Sequence, residues 1–262
     1  MRTLDWNGFL TDPAVAAALT DLRRMATRAI KLHPLSLTSK MVNSFWYGTR
    51  GAHHIFIDDS PTASPSLVHE IIHGILMEEG YYFIRGTFHD RIHPMMTNDL
   101  QHPEVFRRMA GYGVDMAQYW SRWPTELRHA LDEIKSDWHD RHASYAHFIR
   151  VYPWHFFPDT SVPFLREFED ITPTLAHAVC AAVEETRPIG FTTMDAHRRS
   201  LEILRQHWLR YCEINLPDGD CTERIVAAIR QSRIMRVSEW KDEIAEERIY
   251  ENLSSLGLVR EH

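Results

Sequence analysis

What this chain has little of narrows its class before any motif is weighed. Its three cysteines, Cys180, Cys212 and Cys221, are odd in number, widely spaced and free of any C-x-x-C pair. That excludes a disulfide scaffold and a thiolate metal site. Glycine is scarce at 11 residues in 262, and neither a glycine-rich phosphate loop nor a G-x-S-x-G elbow occurs. No window approaches the roughly 18 apolar residues that a membrane span requires. The first residues, MRTLDWNGFL, do not form the long apolar run of a secretory leader. Positive charge is not in excess either: 29 Lys and Arg face 36 Asp and Glu, for a net charge of -7. The arginine-bearing pieces RHASYAHFIR and RRSLEILRQHWLR form no clustered basic stripe, so a polyanionic partner is not indicated. The expectation is a cytoplasmic protein with no nucleic-acid or membrane partner.

What is present is the composition of a folded protein, 44% hydrophobic and 25% charged, long enough for a substantial core. Apolar residues at helical spacing predict a helix over 14–30 (Val15, Leu19, Leu22, Met25, Ala26). The run HHIFIDDSP reads as a strand ended by a loop. A helix should follow, capped by Ser64 or Ser66 with Pro65 at its first position, and stopped by Gly80. Residues 81–97 read as a connector that opens as a strand. Further helices are expected over 103–120, 126–138, 173–185 and 195–215. Another should follow the turn LPDGD, with Asp220 and Glu223 as a capping box. Residues 139–164, aromatic and punctuated by proline, read as irregular structure or short pieces. The tail from Glu239 to Glu251, with six acidic and two basic residues, reads as a solvated helical face. The fold class is therefore α+β and helix-rich, with a small sheet beside the helix that begins near Ser64. The expected organisation is a single domain over 1–262, in which 1–125 form the core and 126–262 a mostly helical part packed on it.

The helix SPSLVHEIIHGILMEEG carries His69, Glu70 and His73 in the pattern H-E-x-x-H. Residues four apart on a helix share a face, so His69 and His73 can direct two imidazoles at one ion. Glu70, offset by about 100°, can reach a water on that ion instead. A zinc ion brings the pKa of such a water near neutrality, and the glutamate can accept its proton. With 17 histidines in the chain, the pattern alone can arise by chance, and context has to support it. Val68, Ile71, Ile72, Ile75 and Leu76 do so. They predict a buried helix, in which each imidazole nitrogen needs a partner.

A catalytic zinc takes three protein ligands and leaves one position open. No H-x-x-G-x-x-H array follows His73, so the third ligand must come from elsewhere. His102, placed just before the helix expected from Pro103, is the first candidate. Glu104 and Glu79 are alternatives, Glu78 is a weaker one, and Asn98 or Asp99 are candidates for outer contacts. His53 and His54 are candidate substrate contacts on the strand. Tyr81, Tyr82, His89, His93 and Tyr112 are chemically able to stabilise an oxyanion. His139, His142, His147 and His155 are a loose cluster, better read as scattered histidines than as a second site.

The motif resembles the zincin superfamily in its gluzincin-like and minimal forms. The run HHIFIDDSPTASPSLVHEIIHGILMEEGYY is similar to uncharacterised bacterial proteins of metallopeptidase type. In these, an edge strand leads into a helix reading HE-x-x-H-x-x-L-x-x-E-G. A later Asn is followed four residues on by a His, then by a Val and a helix; here those are Asn98, His102 and Val105. The resemblance covers about residues 50–115. It implies a zinc-dependent hydrolase with His69, His73 and His102 as metal ligands and Glu70 as base, and the leading expectation is that it attacks a peptide or amide bond. A zinc enzyme acting on a small molecule is the alternative. So is a helical binding protein in which the motif is structural.

Overall fold

In the computed structural model, the described residues are 4–35, 44–48, 51–57, 63–85, 92–121, 123–137, 144–157 and 159–239. In chain order the elements are α1 (Pro13–Met25), β1 (Ala29–Pro34), β2 (Ser44–Gly48), β3 (Ala52–Ile57) and α2 (Ser64–Glu78). Then come β4 (Phe83–Arg85), α3 (Ile92–Gly111), α4 (Met116–Trp120), α5 (Trp123–Asp137) and α6 (Ser144–Val151). The chain continues through α7 (Val162–Ile171), α8 (Pro173–Thr186), α9 (Met194–Asn215), α10 (Asp220–Gln231) and β5 (Arg233–Met235). The class is the expected one, a helix-rich α+β fold with a small sheet beside α2. Among the described residues, no helix is long and apolar enough to cross a membrane.

Two compact units divide the described residues. One runs up to Tyr81 and resumes over Val105–Tyr119 and again from Arg236; the other comprises Tyr82–Glu104 and Trp120–Met235. The division falls inside α3, which is nevertheless one continuous helix.

In the first unit the sheet order is β1-β3-β2, with β1 parallel and β2 antiparallel to β3. The strand expected over HHIFI is thus β3, but it is the central strand and not an edge. All six of its residues are buried, as a strand covered on both faces requires. α1 packs on α2 through a stripe of Val15, Ala18, Leu19 and Leu22, all buried. Asp12 caps α1 by accepting from the backbone N–H groups of Ala14 and Val15. Gly74 allows the close packing here. A methyl group in its place would stand 3.1 Å from Leu22 and 3.3 Å from His53.

The second unit buries one aromatic-rich cluster contributed by α5 to α10. Its fully buried members include Phe148, Tyr152, Phe168 and Trp208. β4 and β5 form a two-stranded antiparallel ladder in this unit.

Several sequence expectations need correction. α1 stops at Met25, and Ala29–Pro34 form β1, where β-branched and apolar residues pair with β3. The described part of 139–164 includes short helical pieces, as one of the two readings allowed, and an unforeseen helix runs over 162–171, with Pro163 tolerated in the first turn of α7. α2 is preceded by Ala63, so neither Ser64 nor Ser66 caps it by a side-chain hydrogen bond. Asp220 is the first residue of α10 after Gly219, not its cap. α3 begins at Ile92 and carries Pro103 inside it, although the missing N–H removes one helical hydrogen bond. The helix expected over 103–120 is broken in two at Gly113, whose φ of 85° no side chain favours. The acidic tail lies outside the described residues beyond Glu239.

Candidate metal centre

α2 is the axis of the site. Its residues from Ser66 to Met77 are all buried, because it is apolar on nearly every face. The helix ends as the sequence predicts. Gly80 adopts φ 87°, the Gly80 N–H donates to the Met77 carbonyl, and the Tyr81 N–H donates to that of Leu76. This is the left-handed glycine stop that satisfies the last carbonyls of a helix.

His69, His73 and His102 each offer a ring nitrogen, and these atoms lie within 4.8 Å of one another. The Nε2 atoms of His69 and His73 are 3.1 Å apart. Two imidazoles at about 2.05 Å from a tetrahedral zinc stand roughly 3.3 Å apart, so the pair needs little adjustment. The three side chains are only 6%, 0% and 7% exposed. Among the described residues, no other group of three or more His, Cys, Asp or Glu is arranged for a metal. Three buried imidazole nitrogens could hold a divalent transition metal, zinc among those that imidazole suits. The residues present therefore fit the ion.

α3 brings His102 to this point. Phe106, one turn further along the same face, packs its ring 5.8 Å from that of His69. Two residues on, the Arg108 guanidinium donates to both carboxylate oxygens of Glu79 at 2.7 and 2.6 Å. His102 is thus a mid-helix residue rather than one just before a helix. Its position ahead of Pro103 is locally disfavoured for helix; the burial of Leu100, Val105 and Met109 along α3 overrides that preference.

Glu78, Glu79 and Glu104 do not belong to the histidine group. Glu79 is occupied by Arg108. Glu78 accepts from the Nε of Arg28 at 2.8 Å and meets Nε2 of His53 at 2.7 Å. Glu104 is buried but is not part of the histidine group. Asn98 and Asp99 lie on α3, with their side chains outside the described residues.

Glu70 is 4% exposed, and the hydroxyl of Ser44 donates to its Oε1 at 2.8 Å. The Tyr119 hydroxyl lies 3.1 Å from Nδ1 of His69. An outer partner of this kind fixes the tautomer and ring orientation of a ligating histidine. Tyr119 reaches His69 because the break at Gly113 redirects α4. Neither residue was a candidate from the sequence. Serine and tyrosine carry no motif here, and their roles depend on partners 26 and 50 residues away.

His53 and His54, the candidate substrate contacts, are engaged within the protein. Both are 0% exposed on the central strand, on opposite faces. The Trp46 indole N–H donates to Nδ1 of His53 at 3.3 Å. His53 then presents its Nε2 proton to Glu78, a neutral tautomer with both nitrogens satisfied. Burial holds its pKa below the ordinary value, against the pull of Glu78. His54 lies 3.1 Å from His33 and stacks on it. Of the oxyanion candidates, Tyr112 donates to Asp21 at 2.9 Å, and burial with that bond pushes its pKa up to about 12. Tyr81 is buried, and the Tyr82 ring carries the Arg198 guanidinium 5.5 Å from its centroid. His89 and the His93 side chain lie outside the described residues, as do His139 and His142. No family model, no curated protein and no solved structure matches the chain.

Proposed function

We propose that this protein is a zinc-dependent hydrolase that cleaves a peptide or amide bond. The observation that carries the proposal is a buried three-histidine group next to a buried glutamate that is held by a hydroxyl. Three protein ligands, with no fourth among the described residues, match the pattern of catalytic zinc sites, whereas structural sites are closed by four.

In this reading His69, His73 and His102 hold the ion. Bound there, zinc supplies Lewis-acid polarisation of the carbonyl and lowers the pKa of a water toward neutrality. Glu70 is the general base. Its carboxylate takes a proton from the attacking water and delivers it to the leaving nitrogen. Tyr119 orients the His69 ring. Burial of all four central residues favours a second reading with the same residues, in which the substrate is a small molecule enclosed by the site.

The test is metal content by elemental mass spectrometry on protein purified without chelator or added metal, followed by an amide-substrate screen. One zinc per chain is expected in wild type and in Glu70→Gln, and loss of zinc in His69→Ala and His102→Ala. Hydrolysis should be present in wild type and absent in Glu70→Gln. Folded wild-type protein that takes up no zinc when offered it overturns the proposal.

A further inference from the structure

The strand β2 and the helix α2 meet along matched faces. Ser44, Trp46 and Gly48 are alternate residues, so all three point to one face of the strand. On α2 their partners are Glu70, His73 and Met77, at the spacing of one helical face. Ser44 donates to Glu70. The Trp46 indole lies over the His73 imidazole, with ring centroids 6.2 Å apart and planes at 23°. Gly48 sits beneath Met77, where a methyl group would collide with the Met77 sulfur and with the Trp46 ring. Trp46 is itself held from its other side. Its N–H donates to His53, which in turn is fixed by Glu78 and, through it, Arg28.

From this geometry we infer that β2 is the positioning strand of the site: Ser44 sets the orientation of the base Glu70, and Trp46 sets that of the ligand His73. The inference rests on the hydrolase reading for the roles of Glu70 and His73, but the orientations belong to the chain with or without an ion. A glutamate carboxylate turns broadly about its last torsion. A hydroxyl bonded to one of its oxygens removes that freedom, and bonds to charged acceptors are stronger than neutral ones. An imidazole stacked on a broad indole is confined in the same way about its own ring torsion. Ser44 and Trp46 are positioning residues in this scheme, since each acts through another side chain.

The experiment uses the full-length chain with carbon-13 in its glutamate carboxyl groups and nitrogen-15 in its histidines. NMR spectra are recorded first without metal. The Glu70 carboxyl resonance, assigned by its loss in Glu70→Gln, should move in Ser44→Ala and return in Ser44→Thr. The His73 ring protons should lose their ring-current shift in Trp46→Leu and keep it in Trp46→Phe to a smaller degree. Zinc competition with a chromogenic chelator then gives dissociation constants. Ser44→Ala should stay within about two-fold of wild type, while Trp46→Leu should weaken binding by about ten-fold or more, as loss of outer support does. Turnover, where a substrate is found, should fall in kcat and not in KM for Ser44→Ala. A Glu70 resonance indifferent to Ser44→Ala, or His73 protons indifferent to Trp46→Leu, overturns the inference. A wild-type protein that shows both effects yet binds no zinc supports the positioning and overturns the hydrolase reading instead.

Discussion

Replacing Gly48 by alanine tests the fit of β2 on α2 through the sign of its effect. Gly48 has no positive φ, so its backbone does not require glycine. In an ordinary strand interior, alanine for glycine gains roughly 0.5–1 kcal/mol by restricting the unfolded chain. Here the added methyl meets the Met77 sulfur and two atoms of the Trp46 ring, all at less than van der Waals separation. Methionine yields more easily than an indole pinned by His53, so the cost belongs in the usual range for an overpacked methyl, about 1–3 kcal/mol. The net expectation is a loss of about 1–2 kcal/mol. Urea unfolding followed by tryptophan fluorescence and circular dichroism measures it. Gly51→Ala, a site where nothing lies within 4 Å of the new methyl, serves as the control and should not lose stability. Because the displaced atoms bear on His73, zinc affinity should fall as well. A Gly48→Ala protein as stable as wild type or more so would refute the packing argument.

Three further outcomes follow from the same structure. Tyr119→Phe, which removes the hydroxyl beside Nδ1 of His69, should weaken zinc binding about ten-fold by chelator competition; an unchanged constant would mean the phenol does not orient that ring. Glu79→Gln, whose carboxylate is paired with Arg108 outside the histidine group, should keep its zinc, and loss of metal in elemental analysis would refute that assignment. His197 is 0% exposed, and burial lowers its pKa from 6.5 to about 3. The unfolded chain therefore binds the proton first, so the stability associated with neutral His197 is complete above pH 6.5 and is lost as pH falls toward 3. By pH 5 the loss is about 2 kcal/mol. Urea titrations of wild type and His197→Gln should show their stability difference shrinking by that amount between pH 7 and pH 5, and a constant difference would refute it.

The parts of the site that were legible in the sequence are those set by local spacing. His69, Glu70 and His73 lie within one helix whose apolar residues announce its burial, and Gly80 marks where it ends. His102 could be nominated by its chemistry. Its setting was hidden because Pro103 imitates a helix start, while α3 runs through it on the strength of buried contacts. β1 and β2 were missed for a different reason. Each is five or six residues long and becomes a strand by pairing with β3, and that pairing leaves little trace in local propensity. Ser44 and Tyr119 were out of reach on the same ground. A lone hydroxyl acquires its role from the partner that the fold brings to it.

The matching of alternate strand residues to one helical face also limits how the gene can change. Substitutions at Ser44, Trp46 or Gly48 alter one contact each and leave the other two in place. A single codon inserted or deleted between Ser44 and Gly48 reverses which side chains face α2, separating the base and the ligand from their supports in one event. The two short motifs, S-x-W-x-G and H-E-x-x-H, are thus tied by phase rather than by identity. Variant libraries in this strand should tolerate exchange of residues far better than changes of length.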